Sequence, residues 1–476
     1  MTETLDAVRG DPVKLKALLA RFPKGGDLHN HMSGSVYAES YLAWAREDGM
    51  QVDQNLKLVD PTTCKPGACR ALPASPDDPR YDEIIRAWSM KDFAPGAETG
   101  HDHFFAAFSK FGLVSHEASR EPAMLAEAIR RTADDGAIYL ETLVTIARPL
   151  VNDIAKSAGP IDPKDFSGYA RKLRADKRWP ELIASAHAAF DEREQKARAL
   201  MKCNTPEAER GCSITVRYDG QIGRTSVAGQ VFAELLAAYE VAQTEPRIAA
   251  INLVSPEDNA TARKDYDLQM AMIAALAGEF RGKTPIRITL HAGELTAAIA
   301  PPEDLAFHIR HAIDIAHAER IGHGVDVLGE ANAPQLVRDL RDRGITVEIC
   351  LSSNAFILDV AGPAHPLGQL LAAGVPVSLS TDDAGVSRSS LTGELIRAVT
   401  VQGLRYPQLK AMARNSLTAA FVPGDSLWAA PGQRVAACSD LVDRPETPAC
   451  HAFLLASERA RLQWKLEQQF VAYESE

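Results

Sequence analysis

Eight short apolar runs recur along the chain, and most of them end in polar residues. In order they are GGDLHNH ending at His31, AIYLETL around Glu141, SITVRYDG running to Gly220, and RIAAINLVS ending at Ser255. They continue with PIRITLHAGE ending at Glu294, RIGHG around His323, TVEICLSSN ending at Asn354, and PVSLSTDD ending at Asp383. Short, continuously apolar runs of this kind suit strands covered on both faces. Between them lie stretches with apolar residues at helical spacing, such as PAMLAEAIRRTADD and APQLVRDLRDRG. Strands alternating with helices predict an α/β fold with a parallel sheet, and eight such units close into a (β/α)8 barrel of the TIM type. The alternative, an open doubly wound sheet, lacks its Gly-rich phosphate fingerprint here.

Three regions fall outside the repeat: about 50–100, about 155–211 and about 424–455, all rich in Pro, Asp and charge. They are read as insertions on one catalytic barrel domain spanning 1–476, with an extra helix ahead of the first strand. Each holds most or all of one local cysteine pair: Cys64 with Cys69, Cys203 with Cys212, and Cys438 with Cys450. None has C-x-x-C spacing, so a structural zinc site is disfavoured and disulfide staples of loops are expected. That implies an exported protein, periplasmic or extracellular; reduced, unrelated thiols would instead make it cytoplasmic. The N-terminal MTETLDAVRG has no signal-peptide pattern, so the exported reading requires a removed leader. The seventh cysteine, Cys350, sits in an apolar run and reads as a buried free thiol.

The chain has 476 residues, 46% hydrophobic and 24% charged, which suits a large packed core. Its formal net charge of −11 argues against nucleic acid as a partner, since phosphate binding needs a basic patch. No apolar run is long enough to span a membrane. A homo-oligomer is compatible with the sequence.

Histidines and acids collect where the strands end, the face on which barrel active sites form. His29 and His31 share one side of the first strand by their i, i+2 spacing. The fifth strand supplies His291 and Glu294, the sixth His323, and the eighth Asp382 and Asp383. Three histidines and an aspartate are a plausible zinc set, and a bound zinc lowers the pKa of its water to about 7. A second H-x-H pair, His101 and His103, precedes the helical pattern FFAAFSKFGL and is read as a structural or capping feature. His308 and His311 are expected on a solvated helix face, and His365, before Pro366, in a structural role; His116, His187, His317 and His451 have no constellation around them.

Taken together, PKGGDLHNHMSGS, HAGE, RIGHGVD and SLSTDD, in this order, resemble the adenosine deaminase family of metal-dependent hydrolases. CLSSN and HPLGQLLAAGVPVSLS also look like that family. The insertions and FFAAFSKF are similar to its larger, exported growth-factor-type members. The resemblance implies zinc-dependent hydrolytic deamination of adenosine and deoxyadenosine, a reaction at C–N bonds of cyclic amidines. It implies one Zn2+ per chain on His29, His31, His291 and Asp382, with His31 also facing the substrate. Glu294 would protonate purine N1, His323 would orient the water and help deprotonate it, and Asp383 would hydrogen-bond N7. A carboxyl group must be protonated at neutral pH to donate, so a raised pKa is expected for Glu294.

The sequence departs from the family at the substrate. Ser33 stands where many members carry an acid on the ribose, and Ser255 where a glycine approaches the base. Leu143 lies near the place of the usual arginine, and Glu257 and Asp258 are candidates for compensating polar contacts. A purine nucleoside is the expected partner. Another 6-aminopurine, such as adenine or a modified adenosine, and a non-catalytic nucleoside-binding protein stay open as alternatives. A lysine-dependent amide or ester hydrolase is disfavoured, since none of the eight strand ends offers a lysine.

Overall fold

The computed structural model describes residues 1–475 apart from 66, 148, 285, 431 and 440–446. Eight parallel strands form one sheet: β1 (Gly26–Asp27), β2 (Tyr139–Val144), β3 (Thr215–Gly223), β4 (Ile248–Val254), β5 (Arg287–Ala292), β6 (Arg320–His323), β7 (Thr346–Ile349) and β8 (Val377–Leu379). Each pairs with the next in chain order. The sheet closes on itself just beyond β8, where Asp382 bridges Asn30 and its N–H donates to the His29 carbonyl at 2.8 Å. Helices cover the outside, among them Glu121–Asp134, Ala228–Ala242, Tyr266–Glu279 and Ala333–Asp342. The fold is the (β/α)8 barrel.

Two elements differ from the sequence reading. The apolar run TVEICLSSN is not one strand: β7 stops at Ile349, and Leu351–Leu358 is a helix. A short buried apolar run fits strand and helix alike, so its pattern could not separate them. Ahead of β1 stand two short helices, Thr2–Val8 and Pro12–Ala20, in place of one. The first ends at its C-cap Arg9, and Asp11 caps the second by accepting from the N–H groups of Val13 and Lys14.

The extra regions carry small elements of their own. Residues Gln51–Val52, Leu58–Val59 and Arg70–Ala71 make an antiparallel three-stranded sheet. Helices Phe166–Ala175 and Trp179–Leu200 occupy the second region, and a hairpin (Trp428–Ala430 with Gln433–Arg434) and helix Pro448–Ala456 the third. Cys64–Cys69, Cys203–Cys212 and Cys438–Cys450 are disulfide-bonded, and Cys350 is free and buried. Among the described residues, no helix is long and apolar enough to cross a membrane.

The barrel interior is not wholly apolar. Arg320 on β6 is buried and pairs with Glu141 on β2, Glu348 on β7 (2.6 Å) and Asp219 on β3 (3.6 Å). Charges taken this far from water persist only when paired. This ionic layer is the floor on which the candidate site rests.

Candidate active site

The strand ends bring together the residues singled out from sequence. His29 and His31 flank Asn30, the residue that bridges Asp382, so closing the barrel delivers both imidazoles to the acids after β8. Gly322 in RIGHG makes room for this: a Cβ there would lie 2.6 Å from His29 Cε1. His323, Asp382 and Ser255 adopt φ of 65°, 57° and 85°, a left-handed conformation rare for non-glycine residues. All three line the cavity, where strained backbone commonly concentrates.

The donor atoms converge on one point. His29 Nε2 is 3.0 Å from His291 Nε2, and His31 Nε2 is 3.2 Å from the same atom. Asp382 Oδ1 lies 3.6 Å from His29 Nε2 and 3.3 Å from His31 Nε2. Four ligands about 2.0–2.1 Å from a tetrahedral zinc would stand about 3.3–3.4 Å apart, so the set fits such an ion. The tautomers agree. His29 Nδ1 is 2.8 Å from Glu348 Oε2, and His291 Nδ1 is 2.9 Å from Asn252 Oδ1. Both oxygens accept, so both Nδ1 atoms carry the proton and both Nε2 atoms offer lone pairs. His29, His291, His323 and Asp382 also form a close group, as do His31, Asp382 and Asp383.

Sequence reasoning missed the residues behind these candidate ligands. Glu348 and Asn252 each interrupt an apolar strand run (TVEIC, AAINLV), and an inward polar residue there needs a partner. Glu348 also joins His29 to Arg320 of the ionic floor. Asn354 Nδ2 lies 3.0 Å from His323 Nδ1, and Asn354 Oδ1 lies 3.0 Å from His365 Nε2.

Glu294 is buried, with Oε1 3.6 Å from His323 Nε2. Burial pushes its carboxyl well above the usual range, and the charges of Asp382 and Glu257 add to the effect. Burial likewise raises Asp383 to about 8 and lowers His323 to about 3. Gly34 lies so close to Asp383 that a Cβ there would meet Asp383 Oδ1.

These groups line a cavity of about 350 Å3, a size suited to a small organic ligand. Phe104, Phe105 and Phe108 form an apolar wall from helix Gly100–Ser115, and Ser33, His116, Gln221 and Ser255 add polar atoms. None of the lining residues is a lysine or arginine. His116, which sequence left without a setting, therefore belongs to this cavity. Glu257 and Asp258 do not serve the substrate side. Glu257 accepts from the N–H groups of Gly293 (3.1 Å) and Glu294 (2.8 Å), and Asp258 pairs with His101 at 3.2 Å. His308 is not on a solvated face: it is buried, 2.6 Å from Glu257 Oε1 and stacked on Tyr266. His103 Nδ1 contacts Glu98 and its Nε2 the carbonyls of Arg86 and Ser89, a structural role as expected.

Comparison with known proteins agrees with this architecture. The adenosine deaminase family model matches residues 178–429. An adenine deaminase of Rhizobium rhizogenes is 32% identical over 189 residues, covering 39% of this chain and 52% of that protein. An adenosine deaminase of Klebsiella pneumoniae is 41% identical over 150 residues, covering 31% of this chain and 41% of that protein. The chain thus spans about half the length of the curated relatives it matches. The crystal structure of an amidohydrolase from Burkholderia ambifaria with bound Zn shares the fold, with a TM-score of 0.56 at 16% identity, over 97% of this chain and 95% of that one. With more than half of its 476 residues matched by the family model, the chain belongs to the adenosine deaminase family.

Proposed function

We propose that the protein hydrolyses the exocyclic amine of a 6-aminopurine nucleoside, converting adenosine and deoxyadenosine to the 6-oxopurine nucleoside and ammonia. The observation that carries this reading is the buried carboxyl of Glu294 beside a complete His29, His31, His291 and Asp382 donor set. One Zn2+ per chain would occupy that set, supplying a hydrolytic nucleophile at neutral pH when bound.

The chain's own residues do the rest. Glu294, protonated through its burial, donates to purine N1 as C6 loses its double bond. Asp383, likewise held protonated near neutrality, donates to the N7 lone pair and fixes the ring. His323 orients the water. The phenylalanine wall covers the substrate and excludes bulk water. Ser33 supplies a hydroxyl on the sugar side and Ser255 a polar contact near the base.

The cavity favours a nucleoside over a nucleotide, because its lining offers no lysine or arginine to pair a phosphate. Adenine is the second reading, favoured by the adenine deaminase among the similar proteins. Product analysis on adenosine, deoxyadenosine, adenine and AMP separates these: the proposal expects turnover of the two nucleosides and little of AMP. Turnover confined to adenine would replace it with the second reading. The single-domain organisation and an oxidising, exported location, suggested by the three disulfides, belong to the same proposal.

A further inference from the structure

The motifs CLSSN and HPLGQ resemble the family yet carry no assigned chemistry in the reading above. The structure joins them to His323 through a directional chain of hydrogen bonds. The Leu367 backbone N–H donates to His365 Nδ1 at 3.1 Å. A backbone amide only donates, so His365 Nδ1 holds a lone pair and, in the neutral ring, His365 Nε2 carries the proton. That proton faces Asn354 Oδ1 at 3.0 Å, which fixes the amide orientation. Asn354 Nδ2 then donates to His323 Nδ1 at 3.0 Å. Neutral His323 must carry its proton on Nε2. His365, Asn354 and His323 are all buried, so water does not compete for these bonds.

We propose that Asn354 and His365 are positioning residues that hold His323 as its Nε2–H tautomer, giving the site a fixed hydrogen-bond donor. The free end of the ring agrees. His323 Nε2 is buried, lines the cavity and has no hydrogen-bond partner among the described residues, its nearest acid oxygen being Glu294 Oε1 at 3.6 Å. A buried N–H aimed into a cavity is satisfied by an oxygen entering that cavity. The same tautomer chooses among the five side chains around the metal point. A ligand nitrogen needs a lone pair, which His29, His31 and His291 can offer at Nε2 and His323 cannot. His323 therefore stays outside the ligand set, and with Nδ1 occupied and Nε2 protonated it does not take a proton from water while the chain is intact. The inference deepens the reading of the same site and rests on it for the expected change in rate.

The test is long-range 1H–15N correlation on the zinc-loaded full chain labelled at histidine, with the His323 signals identified by their loss in His323→Gln. The expected state is protonated Nε2 and bare Nδ1. Asn354→Asp keeps the acceptor for His365 but puts a carboxylate against His323 Nδ1, so it should move the proton to Nδ1. Wrong tautomers lower turnover by about 10²–10⁴-fold in related acid–base systems; here kcat should fall on that scale, with KM changed far less and one metal per chain retained. If Asn354→Asp does not fold, His365→Gln, whose amide still donates to Asn354, should keep the tautomer, and His365→Met should release it. A bare or metal-shifted Nε2 in the native protein, or an unchanged tautomer in both Asn354→Asp and His365→Met, would overturn the inference. A protein inactive on every 6-aminopurine but with Nε2–H at His323 would instead support it and remove the functional reading.

Discussion

The Nε2 atoms of His29 and His291 face each other across 3.0 Å while both Nδ1 atoms are spent on oxygens, of Glu348 and Asn252. Two lone pairs at that distance repel unless a cation lies between them. The arrangement predicts tight binding of one divalent ion. His291→Ala should lower metal content, measured by elemental analysis. Asn252→Ala, which frees the His291 ring to turn, should weaken metal affinity by about 10- to 100-fold. Full metal content in His291→Ala would contradict the assignment.

Glu294 is predicted to be the proton donor. Glu294→Gln should lower kcat by about 10²–10⁴-fold and leave the metal bound, as elemental analysis would show. The raised pKa sets the sign of this group's contribution: the active form is the protonated one, so from neutrality upward turnover declines as pH rises through that pKa, while loss of the histidine-held metal limits activity in acid. Near-native turnover of Glu294→Gln would place the donor elsewhere.

Much of this is legible in the chain because the candidate residues sit at strand ends, in motifs whose order follows the barrel. His29, His31, His291, Glu294, His323, Asp382 and Asp383 stand out that way, and closure at Asn30–Asp382 brings them together around one cavity. The supporting residues were not. Glu348 and Asn252 are single polar letters inside apolar runs, and their partners lie far away in sequence, 319 and 39 residues respectively. His308 looked solvated because helical spacing alone does not say which face packs; Tyr266 and Glu257 decide it. The Phe104–Phe108 wall was read as a helix, and only the tertiary fold turns it toward the cavity.

Ser255 holds a φ of 85° where sequence comparison suggested glycine. Non-glycine residues in this region cost about 1–2 kcal/mol. Ser255→Gly should therefore match or exceed the native protein in thermal stability, by up to about 1 kcal/mol after the added chain entropy. A changed KM with an unchanged kcat would assign the hydroxyl to substrate binding. Clear destabilisation would mean that the serine side chain holds the loop.

Stability should also fall in mildly alkaline solution. Away from the candidate metal ligands, burial raises Glu330 to about 8 and Glu394 to about 7. Both lie above the ordinary glutamate value of 4.5, so the folded chain keeps protons that the unfolded chain has released. Their contribution is fully present below about pH 4.5 and is lost as pH rises through 7 to 8. Melting temperatures measured between about pH 6 and 9 should decline less steeply in Glu330→Gln than in the native protein. Parallel curves would contradict the assignment of Glu330.

The central claim is tested most directly by adding adenosine to the metal-loaded protein and following its ultraviolet absorbance. The account predicts rapid conversion to the inosine spectrum, abolished by a chelator and restored by zinc. Persistence of the adenosine spectrum with a full complement of metal would contradict it.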